Sequence, residues 1–143
     1  MVSAEDMTTQ RRVIEDWGRY WSSHDLDRLL SIHTDDVVLE DVARVSAFNG
    51  KAALRAYAEA FFAGYPDVTF ELTSRFATGG QGSAEWVMRG THLGDRPGLP
   101  ATGKHVEVRG ASIFDFADGQ IRRCTEYWDM ATMLKQLGLM PSG

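Results

Sequence analysis

The chain has 143 residues, of which 43% are hydrophobic and 24% are charged, a balance that indicates one folded domain over residues 1–143 rather than two domains or a disordered segment. Its 20 acidic residues outnumber its 15 Lys and Arg residues, and a net charge of −5 argues against binding to nucleic acid or to an anionic membrane surface. The single cysteine, Cys124, cannot form an internal disulfide, and no cysteine and histidine spacing typical of zinc sites occurs, so we expect no metal. No apolar run is long enough for a signal peptide or a membrane helix, so we expect a cytoplasmic protein.

The first half of the chain shows the 3.6-residue apolar spacing of helices. The pair Asp35 and Asp36 is interpreted as the exit from the second helix, and Gly64 as the end of the third. In chain order the sequence predicts helices at 4–22 and 25–33, a strand at 37–41, and a helix at 51–62.

From residue 68 onward the apolar period changes to 2, which is typical of half-buried antiparallel strands. A last short helix is predicted to begin after Asp129, its N-cap, and to end at Gly138. Helices followed by strands predict an α+β fold, a curved antiparallel sheet wrapped around three N-terminal helices with a short C-terminal helix. The inward-facing strand residues are Val68, Phe70, Leu72, Trp86, Met88, Val106, Val108, Phe114 and Phe116.

Several segments in a fixed order give the chain a family resemblance over residues 5–140. They are WSSHDLDRLLSIHTDDVV, NGKAALRAYAEAFF followed by YPD, WVMRGTHLG, TGKHVEVRG, FDFADGQI and EYWD. Together they resemble the nuclear transport factor two-like cone fold and, within it, the SnoaL-like polyketide cyclases. The resemblance implies a cavity at the open end of the sheet. It does not identify the reaction, because similar proteins include isomerases, epoxide hydrolases, dehydratases and non-catalytic subunits.

The turn before the last strand decides which of its side chains face the cavity. A three-residue loop, 117–119, would turn Cys124, Glu126 and Trp128 inward, whereas a two-residue turn, 118–119, would turn Arg123, Thr125 and Tyr127 inward. We favour the three-residue loop, because similar proteins often carry polar groups at the positions that match Cys124 and Glu126.

The inward positions define an aromatic-rich cavity with few polar groups, the usual composition of a small-molecule site. We expect Glu126 to be the general acid/base, because a carboxyl group that loses hydration has a raised pKa. Asp41 and His92 are the other candidate catalytic residues. The candidate substrate-binding residues are Trp17, Trp21, Phe70, Trp86, Met88, Ser112, Phe114, Cys124 and Trp128.

Asp41 matches the catalytic base of the ketosteroid isomerases that this region resembles. The isomerase oxyanion hole does not carry over, because Trp17 and Ser112 stand at the positions that match its tyrosine and its protonated aspartate. Steroid isomerisation is therefore disfavoured. Asp41 is a second candidate base, or an ordinary strand-end aspartate. His92 bonds a ligand carbonyl, relays a proton with Glu126, or is a structural residue at a strand end.

The combined pattern predicts a cofactor-independent enzyme for a small apolar or aromatic substrate, most like a polyketide cyclase that closes a ring by an intramolecular aldol reaction. One alternative is a binding or accessory module without chemistry. Another is an epoxide hydrolase or dehydratase, in which Arg122 or Arg123 supplies a guanidinium between Asp41 and Glu126. A homodimer is also expected, since Val87, Ile113 and Tyr127 would lie on the outer face of the sheet.

Overall fold

The computed structural model describes residues 4–95 and 99–141, and it has the predicted α+β architecture, with four helices and a curved, unclosed sheet of six strands. The elements in chain order are α1 (Ala4–Ser23), α2 (Leu26–Ser31), β1 (His33–Asp41), β2 (Ser46–Asn49), α3 (Lys51–Gly64), β3 (Thr69–Ala77), β4 (Gln81–Thr91), β5 (His105–Ala117), β6 (Gln120–Trp128) and α4 (Met130–Gln136). Within these ranges no helix is long and apolar enough to span a membrane.

The strand order is β2-β1-β6-β5-β4-β3, and neighbouring strands are antiparallel except for β1 and β6, which run parallel. The expectation of an antiparallel sheet is therefore wrong for this pair. The parallel register places Asp41 directly opposite Glu126 on the neighbouring strand. Two carboxyl groups that are far apart in the sequence thus become neighbours at the same end of the sheet.

The first strand begins earlier than the sequence pattern predicts. Asp35 and Asp36 do not end a helix, because α2 ends at Ser31 and both aspartates lie within β1. They are exposed in a stretch where the register between β1 and β6 is irregular, between His33 and Val38. Water hydrates both carboxylates there, so two consecutive aspartates are tolerated in a strand.

The hairpin between β5 and β6 has a two-residue turn, not the three-residue loop that we expected. Ala117 pairs with Gln120, and Asp118 and Gly119 have φ angles of 50° and 76°, as in a type I′ turn. The register then shifts by one residue, which makes Arg122 an extra residue in β6. This bulge restores the inward orientation that we expected from the longer loop, so the predicted face is correct although the predicted turn is not.

Helices α1 and α3 cover the concave face of the sheet, and their apolar side chains meet those of the inward strand positions. Gly110 is required in this core, because a Cβ atom there would lie 2.4 Å from the indole ring of Trp86. Helix α4 is capped by Asp129 as predicted, since its side chain accepts a hydrogen bond from the backbone N–H of Thr132 at 3.0 Å.

The outer face of the sheet carries Ile113 and Tyr127 among charged side chains. They are 39% and 51% exposed. The homodimer stays a prediction.

Candidate active site

A pocket opens on the concave side of the sheet between α1, α3 and the ends of β1 and β6. The cavity inside its mouth has a volume of about 40 Å³. The inner part therefore holds only a few waters. Its lining residues are Trp17, Trp21, Arg44, Tyr57, Phe61, Phe70, Trp86, Met88, Glu126, Trp128 and Met133.

Seven of the twelve predicted site residues line this pocket. Six are the apolar side chains Trp17, Trp21, Phe70, Trp86, Met88 and Trp128, and the seventh is Glu126. Ser112 and Phe114 on β5 and Cys124 on β6 are buried but do not line the pocket, and Asp41 is buried opposite Glu126 on β1.

Glu126 is an acid in an apolar setting, only 8% exposed. Burial and, to a smaller extent, the negative charge of Asp41 raise the pKa of Glu126 from an ordinary 4.5 to about 8. Within the described residues its side chain has one hydrogen-bond donor, the weak thiol of Cys124 at 3.8 Å from Oε1. Glu126 is therefore mostly protonated at neutral pH and can exchange its proton close to that pH.

The wall behind Glu126 consists of Ser112, Phe114 and Cys124, each of which contacts a residue of the pocket lining. The indole N–H of Trp86 donates to Ser112 Oγ at 3.0 Å, and Phe114 packs edge-on against Trp17 with ring centroids 5.0 Å apart. Burial, and next the charge of Glu126, raise the pKa of the Cys124 thiol well above its usual value. Cys124 therefore acts as a small neutral core residue and not as a thiolate nucleophile.

Asp41 is also buried, but its environment is different. Its Oδ1 accepts hydrogen bonds from the indole N–H of Trp128 at 2.8 Å and from the backbone N–H of Arg44 at 3.1 Å. Its Oδ2 lies 3.8 Å from Nε of Arg44. The Asp41 carboxylate is therefore occupied by protein donors.

Four lining residues were not among our predicted site residues: Arg44, Tyr57, Phe61 and Met133. Tyr57 and Phe61 lie on the apolar stripe of α3 and Met133 on that of α4, so the periodicity places them in the core without distinguishing pocket from core. Arg44 lies in the turn between β1 and β2, where no periodic pattern exists.

The guanidinium beside the two carboxyl groups belongs to Arg44, so the expectation that Arg122 or Arg123 supplies it is wrong. Arg123 forms an ion pair with Glu40 on the opposite face of the sheet, and Arg122 is exposed at the bulge. Both arginines point away from the pocket, because the bulge turns Cys124 and Glu126, which follow them in β6, inward.

The structure places His92 outside the pocket lining, just beyond the end of β4. Its Nδ1 accepts a hydrogen bond from the backbone N–H of Thr102 at 3.2 Å, and its ring stacks on Tyr65 with centroids 5.3 Å apart. Its Nε2 is buried and has no hydrogen-bond partner among the described residues.

Comparisons with known proteins agree on the fold. The family model of the SnoaL-like polyketide cyclases matches residues 11–137. A protein described as a "Putative SnoaL-like polyketide cyclase", from Jannaschia sp. CCS1, superposes with a TM-score of 0.87 at 18% identity, covering 99% of both chains. A "putative polyketide cyclase" from Xanthomonas campestris pv. campestris gives a TM-score of 0.82 at 22% identity, covering 92% of this chain and 98% of that chain.

AclR, described as "a putative hydroxylase" from Streptomyces galilaeus, gives a TM-score of 0.83 at 20% identity and covers 95% of this chain and 89% of its own. A search of curated proteins gave no significant match. The structural likenesses show the fold, and the family match spans most of the sequence. On that match, the chain belongs to the SnoaL-like polyketide cyclase family.

Proposed function

We propose that the protein is a cofactor-independent enzyme that acts by general acid/base catalysis on a small apolar or aromatic carbonyl compound, most like a polyketide cyclase. The observation that carries the proposal is the carboxyl group of Glu126, buried in an aromatic pocket, with a pKa raised to about 8. A group with a pKa near the working pH is best suited to take a proton and return it.

The proposed reaction is an intramolecular aldol closure. Ionised Glu126 removes a proton from a carbon next to a carbonyl group, and the C–H electron pair moves into an enolate. The enolate carbon then bonds to a second carbonyl carbon, and the new alkoxide takes the proton back from Glu126. The atoms balance without an oxidant or reductant, and acid/base work of this kind contributes about 10²–10⁴-fold to the rate.

The aromatic walls would hold the substrate folded so that its two reacting carbons are close, which adds to the rate. Since the inner space is small, a substrate larger than a few heavy atoms extends from it toward the mouth. Arg44 and Trp128 are the lining residues at that end, with the Arg44 side chain 34% exposed.

The first proton transfer can be tested without knowing the natural substrate. Phenylacetone has an aromatic ring and an acidic carbon next to a carbonyl group, and its exchange with D₂O is visible by NMR. We expect the protein to accelerate this exchange, and Glu126→Gln to slow it about 10²–10⁴-fold. The matched control is Glu85→Gln, since Glu85 is an exposed strand glutamate on the outer face.

Exchange that is equally fast in Glu126→Gln would remove Glu126 from the mechanism. Binding of phenylacetone with no acceleration over buffer would instead favour a binding module without chemistry.

A second candidate is an epoxide hydrolase, which the cluster of Asp41, Arg44 and Glu126 at one end of the pocket favours. Here the carboxyl groups activate water, which opens the epoxide ring. Styrene oxide in H₂¹⁸O tests this reaction, because a hydrolase would place one labelled oxygen in the diol faster than buffer does. Diol formation at the buffer rate would exclude this candidate for aromatic epoxides of that size.

A further inference from the structure

The proposed proton removal leaves a negative charge on the substrate, and the pocket needs a group to stabilise it. When the C–H electron pair moves toward the carbonyl group, the charge gathers on the carbonyl oxygen. A preorganised donor or cation at that oxygen is the largest single contribution in many enzymes. Glu126 cannot supply this stabilisation, because its carboxylate is the base and stays negatively charged until it has taken the proton.

Most polar groups around the pocket are already occupied. The indole N–H groups of Trp86 and Trp128 donate to Ser112 and Asp41. The Trp21 N–H is buried without a hydrogen-bond partner among the described residues, but it is uncharged, and its ring is packed edge-on against neighbouring aromatic rings. Arg44 is the one cationic side chain in the lining as far as the described residues extend.

Arg44 is held in place, and its terminal nitrogens are free. Its guanidinium lies over the ring of Trp128, with Cζ 5.5 Å from the ring centroid, and its Nε faces Asp41 Oδ2. Its backbone N–H is fixed by Asp41 Oδ1. Neither Nη1 nor Nη2 makes a hydrogen bond to any residue in the ranges that the structure describes, so a planar pair of donors remains for a ligand.

We propose that Arg44 binds and stabilises the enolate oxygen of the substrate, and that Asp41 is the positioning residue that holds Arg44 and Trp128 rather than a base. This inference rests on the proposed function and specifies its substrate. The substrate is a ketone whose oxygen lies at the mouth beside Arg44, while the acidic carbon lies deeper, beside Glu126. Trp128 supplies the flat surface between the two groups.

The test uses 4-nitrophenol, a planar mimic of an enolate whose visible absorbance distinguishes the phenolate from the phenol. Near neutral pH we expect the bound ligand to be shifted toward the phenolate relative to the free ligand. Arg44→Gln is expected to weaken phenolate binding about tenfold, because a charged hydrogen bond is lost, while binding of 4-nitroanisole, which cannot ionise, changes little. Arg44→Lys keeps the charge without the planar fork, so its affinity for the phenolate should lie between those of the original protein and Arg44→Gln.

The matched control is Arg123→Gln, since Arg123 lies in the same sheet but on the opposite face, paired with Glu40. It should bind phenolate as the unchanged protein does. Three results would overturn the inference: no binding of 4-nitrophenol, binding only as the neutral phenol, or an unchanged phenolate preference in Arg44→Gln.

Asp41→Asn separates a positioning residue from a base. The amide oxygen still accepts from Trp128 and from the Arg44 backbone, while a negative charge near the ligand is lost, so phenolate preference should rise several-fold and phenylacetone exchange should persist. Loss of phenylacetone exchange, the result expected of a base, would overturn the role assigned to Asp41. If Glu126→Gln abolishes exchange but Arg44→Gln changes neither exchange nor phenolate binding, this inference fails and the proposed function stands.

Discussion

Asp41 and Glu126 are a pair of buried carboxyl groups in neighbouring strands, and their surroundings differ. Asp41 is 1% exposed and receives two N–H donors and a guanidinium, whereas Glu126 is 8% exposed and receives only a thiol within the described part of the chain. Burial alone therefore does not determine what a carboxyl group does. The donors around Asp41 hold its carboxyl group in place at the mouth, whereas Glu126, which lacks them, is left as an acid that can exchange its proton.

The largest expected effect is on how the free energy of unfolding depends on pH. The pKa of Glu126 is about 8 in the folded state and near 4.5 when unfolded, so the folded state keeps a proton that the unfolded state loses between these values. Stability contributed by the neutral carboxyl is present below about pH 4.5 and is lost as pH rises through about 8. At about 1.4 kcal/mol per pKa unit, the loss is about 3–5 kcal/mol.

Glu126→Gln should remove this dependence, because the amide does not ionise. Urea unfolding at several pH values measures it, and the variant should exceed the original protein in stability at the alkaline end. Glu85→Gln, the exposed control, should follow the original curve. Parallel curves for the original protein and Glu126→Gln would mean that the two carboxyl groups are not as different as their contacts indicate.

The next effect concerns the influence of the Asp41 charge on the pKa of Glu126. If catalysis needs ionised Glu126, the exchange rate should rise with pH and reach half its limit near pH 8. Asp41 raises the pKa of Glu126 through its charge, so Asp41→Asn should lower this midpoint. The measurement is the pH profile of phenylacetone exchange. A midpoint that stays in place would show that the charge of Asp41 does not reach Glu126.

The inward orientation of Glu126 can be predicted from the sequence, although one of the reasons for our prediction was wrong. Alternation along β5 and β6 predicts that Glu126 faces inward, yet the turn that we expected is wrong. The bulge at Arg122 is hidden because Arg122 and Arg123 are both charged, so the alternating pattern is lost where the extra residue lies. The interpretation of Asp35 and Asp36 failed similarly, since polarity alone does not distinguish an exposed, irregular strand from a helix exit.

Arg44 could not be assigned from the sequence at all. Turn residues carry no periodicity, and its position depends on the parallel pairing of β1 with β6, a contact between distant parts of the chain. The aromatic lining shows the reverse case. Trp17, Trp21, Phe70 and Trp86 follow from local periodicity alone, because a side chain on the apolar face of a helix or strand in this fold points into the cone whatever the distant pairing.

The smallest expected effect concerns Ser112, which lies behind Glu126, and contrasts it with Asp41, which lies at the mouth. Ser112 accepts the N–H of Trp86 but is not bonded to the Glu126 carboxyl. Ser112→Ala should therefore lower the free energy of unfolding by about 1–2 kcal/mol, because a buried N–H loses its partner. The midpoint of the exchange profile should stay near pH 8, in contrast to Asp41→Asn. Urea unfolding and the exchange profile give the two values, and a displaced midpoint would mean that the wall, as well as the mouth, sets the acidity of Glu126.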